Sequence, residues 1–153
     1  MAMPILGPVD TIAANIQLAV APVFLLTGIG SILNVLAARL GRITDRARKL
    51  EAEIPGYPSE RRRLAVVDLA LLSRRMTAAN WAIALCTLSA LLVCLVVAIL
   101  FVGELSPIRL AGPVALLFIG AMVLLIFGLM LFLYEVQIAL RSIRNRAKLL
   151  GVD

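Results

Sequence analysis

At 153 residues, 62% of them hydrophobic, and with a mean hydropathy of +1.03, the chain is far more apolar than a soluble domain, in which roughly 45–50% of residues are apolar. Fifteen Lys and Arg against nine Asp and Glu give a formal charge of +6, but these bases flank long apolar runs, where positive charge sets membrane topology and does not call for nucleic acid. Histidine is absent, which removes the commonest metal ligand and general base, and Cys86 and Cys94 share one apolar run without CxxC spacing, which supports neither a disulfide framework nor a zinc site.

Residues 1–10 carry no Lys or Arg and no small-residue cleavage pattern, so the first span is expected to insert as an uncleaved anchor. No residue between Asp10 and Arg39 is charged, and the same holds between Arg75 and Glu104 and between Arg109 and Glu135. A helix rising about 1.5 Å per residue crosses the hydrocarbon core in about 20 residues. Three spans are therefore predicted, at about 12–38, 76–102 and 110–134. The first is the polar one: Asn15 and Gln17 lie near its outer end, and Thr27, Ser31 and Asn34 share a face through spacings of four and three. In lipid such a face is either an interhelical hydrogen-bond ladder or the lining of a wet path. Pro22 leaves the Leu18 carbonyl without its donor, and Gly28 and Gly30 follow, which marks a point where this helix can bend.

Beyond the first span, Leu36, Leu40, Ile43, Ala47, Leu50 and Ile54 recur at intervals of four and three, a heptad seam that carries the helix out of the membrane. Pro55-Gly56-Tyr57-Pro58 breaks it, and Ser59 is placed to cap a second helix starting at Glu60. Residues 39–75 thus read as a cytoplasmic helical hairpin. Within it Arg42, Arg46 and Lys49 are candidate contacts for an anionic lipid headgroup or an acidic partner. The plainer reading is a topology signal, with Asp45 paired along the helix to Arg48 or Lys49. Asp68, set among apolar residues, is expected to pair with an arginine of a neighbouring helix.

In the second span Ala78, Ala82, Cys86, Ala90, Cys94 and Ala98 place a small residue at every fourth position, a pattern that lets helix backbones approach closely in lipid. Gly112, Gly120 and Gly128 repeat it more sparsely in the third. Trp81 and Tyr134 sit just inside the basic flanks, as an aromatic belt requires. Glu135, at the end of the third span, is expected to pair with Arg75 or another interfacial arginine. No Asp, Glu, Lys or Arg lies well inside any span, so a proton path through this chain alone is not expected. The tail 135–150 reads as an amphipathic helix with Val136, Leu140, Ile143, Ala147 and Leu150 on one stripe and Arg141, Arg144 and Lys148 on other faces, ended by Gly151. The bases crowd between Arg39 and Arg75 and in the tail, with only Arg109 on the other side. The expected topology is N-terminus outside, C-terminus cytoplasmic.

The run from Ala21-Pro22-Val23-Phe24-Leu25-Leu26 through Asn34, followed by Arg39-Leu40-Gly41-Arg42-Ile43-Thr44-Asp45-Arg46-Ala47-Arg48, resembles the bacterial membrane family filed as domain of unknown function 2721. The resemblance implies a small multi-span membrane protein and supplies no catalytic residue and no cofactor. The excess of Arg over Lys fits a GC-rich bacterial genome and a plasma-membrane location.

Together these features predict an all-α integral membrane protein, one domain over 1–153, with three transmembrane helices extended into a cytoplasmic helical bundle. It is expected not to be an enzyme, since no nucleophile–base pair or metal cluster stands out. The expected function is a homo-oligomeric assembly in the bacterial inner membrane, built through the small-residue stripe of span two, with an ion-conducting pore lined by Thr27, Ser31 and Asn34 as one form it can take. The alternative is an accessory subunit of a larger membrane complex, docked through its basic helices.

Overall fold

Three uncharged runs, each longer than a bilayer crossing, fold as helices that do not stop at the bilayer edge. The computed structural model describes the backbone of residues 8–104 and 111–149, and the side chains of Gln17 and of residues 20–103 and 112–140. Helix α1 covers Pro8–Glu53, a short 3-10 turn covers Ile54–Gly56, α2 covers Ser59–Glu104 and α3 covers Ala111–Leu149. With 46 residues apiece, α1 and α2 are each about 69 Å long, more than twice the roughly 30 Å hydrocarbon core. The predicted continuation of the spans beyond the membrane is therefore present, and all three helices are long and apolar enough to cross it.

Helix α2 is the middle element, packed along both neighbours. Inside the membrane Ile29, Leu36, Ala82, Cys86 and Leu125 form the core, flanked by Leu131 and Phe132. Beyond it, Ile43 and Ala47 of α1 meet Leu72 of α2, supported by Leu50, Leu69 and Met76. The predicted seam from Leu36 to Ile54 is buried or half-buried at every position, so the hairpin closes on itself and need not lie on the membrane surface. α1 runs through Pro22 without ending.

At the hairpin tip the Tyr57 N–H donates to the Ile54 carbonyl (3.1 Å) and the Arg62 N–H to the Pro58 carbonyl (2.8 Å). Pro58, not Ser59, thus supplies the first helical acceptor, and α2 begins one residue earlier than expected. Proline suits that position because it has no N–H of its own to leave unpaired. The tail also departs from its expected stripe: Leu140 is exposed, while Glu135 and Ala139 are buried and Val136 is half-buried. The side turned inward here is set by the Glu135 carboxylate, and Ala139 follows it one turn on. The tail residues Arg141, Ile143, Arg144, Ala147, Lys148, Leu150 and Gly151 lie outside the described side chains.

Candidate functional site

Arg39 ends the uncharged run of α1, Arg75 precedes that of α2 and Glu135 ends that of α3, so all three mark one membrane boundary. The fold brings them into contact. Glu135 is fully buried, at 0% exposure. Its Oε1 accepts from Arg75 Nε at 3.0 Å and lies 2.9 Å from Arg75 Nη2. Its Oε2 lies 2.6 Å from Arg39 Nε, but that N–H is not aimed along a hydrogen-bond line, so this contact is an ion pair without a hydrogen bond. The Arg39 guanidinium also stacks 5.6 Å from the centre of the Phe132 ring, a cation–π distance. A lone buried carboxylate would cost several kcal/mol of lost hydration, which only close pairing offsets. Two guanidiniums on one carboxylate leave the cluster one positive charge in excess. The pairing with Arg75 was legible in the sequence; Arg39 as the second partner was not.

Thr27, Ser31 and Asn34 do share one face, and all three are exposed: the face turns away from α2 and α3. The Thr27 hydroxyl donates to the Val23 carbonyl (3.2 Å) and the Ser31 hydroxyl to the Thr27 carbonyl (3.1 Å), back-bonds within their own helix. Among the described residues, this face forms no hydrogen-bond ladder to α2 or α3. Within the apolar spans, an interhelical hydrogen bond comes instead from Ser89, which the sequence reading passed over: its buried hydroxyl donates to the Ala121 carbonyl at 2.7 Å. A serine inside an apolar run was the available signal.

The small-residue stripe divides along its length. Ala82 and Cys86 are buried, Ala78 and Ala90 half-buried, Cys94 and Ala98 exposed. A Cβ on Gly128 would stand 2.8 Å from Cys86 Sγ and 3.2 Å from the Ala82 carbonyl oxygen, so at the middle of the stripe α3 packs directly against the α2 backbone. Gly120 is less crowded, with Leu92 Cδ1 at 4.0 Å, and Gly112 has nothing within 4 Å.

Outside the membrane Arg42, Arg46 and Lys49 are exposed and form no ion pair among the described residues. Asp45, likewise exposed, is not within pairing distance of Arg48 or Lys49, contrary to the plainer expectation. Asp68 is half-buried and engaged. At the tip the Tyr57 hydroxyl donates to the Glu53 carboxylate, Arg61 lies 4.5 Å from the Tyr57 ring centre, and Arg62 Nη2 donates to the Pro55 carbonyl at 3.2 Å.

Three membrane-crossing helices, locked at one boundary by a buried carboxylate between two arginines, define an all-α membrane protein whose described polar contacts between helices hold the fold together. The sequence profile of the family described as "Protein of unknown function (DUF2721)" matches residues 19–145. The chain belongs to that family. No curated protein and no solved structure matches it.

Proposed function

We propose that the protein works as a homo-oligomeric assembly in a bacterial inner membrane, N-terminus outside and basic hairpin in the cytoplasm, and that it acts by assembling and not by catalysis. The observation that carries this reading is an inverted surface. Within the span of α1, Thr27, Ser31 and Asn34 point outward; the two hydroxyls are back-bonded to their own helix, but the Asn34 amide has no partner among the described residues, and lipid offers none. On the extramembrane part of α2, Leu64 is 70% and Val67 60% exposed, where water disfavours them. Polar groups facing lipid and apolar groups facing water are both what a subunit has before its neighbours cover it. Cys94 and Ala98 add small residues on which another helix can pack. If α1 of each copy faces a common axis, Thr27, Ser31 and Asn34 line it, which gives a polar path for ions.

The test is the mass of the purified protein in nanodiscs, corrected for lipid. The expected result is a defined multiple of the 16.4 kDa chain. A monomer would overturn the reading and favour the accessory subunit, for which the exposed Arg42, Arg46 and Lys49 offer a docking flank. For the pore, reconstituted liposomes should leak ions, and Ser31→Leu should suppress the leak; a tight liposome removes the pore and leaves the assembly.

A further inference from the structure

We propose that Arg39, together with Arg42 one turn further on, holds the phosphate of an anionic phospholipid at the membrane boundary that carries the basic hairpin. The inference does not rest on the oligomer. Arg39 turns Nε toward Glu135, and its terminal nitrogens have no hydrogen-bond partner among the described residues. Its side chain keeps 26% of its surface exposed. The guanidinium is held in place by Glu135 on one side and the Phe132 ring on the other. Its planar fork is therefore preorganised, and little side-chain entropy remains to be lost when it grips two oxygens of a phosphate.

The ligand must be an anion, because Glu135 already faces two guanidiniums and the cluster carries a positive excess. Arg42, Arg46 and Lys49 extend the flank at spacings of three, four and three from Arg39, all exposed and without an ion pair among the described residues. Height selects a lipid over a soluble anion. Arg39 is the first charge after the uncharged run of α1, Trp81 and Tyr134 are exposed near the same boundary, and Val35, one turn into the membrane below Arg39, is exposed beside it. A phospholipid places its phosphate at this level and its acyl chain against such a residue without being drawn out of the bilayer.

The experiment is native mass spectrometry of the full chain in a neutral detergent, with dioleoyl-phosphatidylglycerol, dioleoyl-phosphatidylcholine or inorganic phosphate added in turn. The expected result is selective retention of phosphatidylglycerol. Arg42→Gln should weaken it about fivefold, the worth of one base beside an anionic headgroup. Because Arg42 is exposed and has no ion pair among the described residues, this variant should fold as the parent does. Arg39→Lys, which keeps the charge but loses the fork, should also weaken retention, while Arg63→Gln, exposed on α2, should not. Equal retention of the two lipids, unchanged binding by Arg42→Gln, or equally tight binding of inorganic phosphate would each overturn the proposal.

Discussion

At Gly128 one hydrogen atom decides how closely two helices can approach. Any Cβ there meets Cys86 Sγ at 2.8 Å and the Ala82 backbone at 3.2 Å, whereas at Gly120 it meets a leucine methyl at an ordinary 4.0 Å. Overpacking a close contact costs about 1–3 kcal/mol. Gly128→Ala should therefore lose about 2 kcal/mol in detergent-driven unfolding, and Gly120→Ala should be nearly neutral. Tyr57 tests the extramembrane tip. Its phenol is held above its ordinary pKa of 10.0, first by the hydrogen bond to Glu53, then by partial desolvation and the negative charge of Glu53, with Arg61 opposing. A raised pKa means that the neutral phenol is favoured by the fold. The contact thus stabilises the tip at neutral pH and is lost as pH rises through the raised value. In a Tyr134→Phe background, phenolate absorbance should titrate above 10.0, and Glu53→Ala should bring it back down.

At the scale of the helices, magnitudes rank the contacts that fix them to one another. The Ser89–Ala121 hydrogen bond belongs to a class worth about 0.6 kcal/mol in membranes. Removing one partner of a buried ion pair costs about 3–5 kcal/mol, because the charge left behind has neither water nor counterion. Arg75→Ala leaves Glu135 only the unaligned contact with Arg39, and should cost about 3 kcal/mol, several times the loss from Ser89→Ala. Replacing Arg39, Arg75 and Glu135 together by leucine should recover most of that loss, since an apolar cluster of similar volume has no charge to desolvate. Thermal unfolding in one detergent compares all of these variants. The seam of Ile43, Ala47 and Leu72 needs no such charges, because beyond the membrane water drives apolar side chains together.

For the molecule as a whole, the proposed assembly would cover the outward-facing Asn34 of α1 and the outward-facing Leu64 and Val67 of α2. Leu64→Gln combined with Val67→Gln should leave the helical content unchanged, since neither residue is buried in the chain. If copies cover this patch, the pair of substitutions should shift the nanodisc mass toward the monomer; an unchanged mass would place the contact elsewhere.

The sequence by itself determined how many helices there are and where they bend back. Uncharged runs bounded by Asp10, Arg39, Arg75 and Glu135 set the spans, the heptad from Leu36 to Ile54 set the hairpin seam, and Pro55-Gly56 set the turn. All of these are local, and the hydrophobic effect reads them residue by residue. Which way each span faces was decided only by tertiary structure. Inside a bilayer almost every face is apolar, so no hydrophobic contrast fixes the rotation of a helix about its axis. The rotation follows from close contacts such as Ala82 and Cys86 against Gly128, and from the need of Glu135 for two arginines. Those demands turn Thr27, Ser31 and Asn34 outward, turn Leu140 away from the core and bring Arg39 to Glu135.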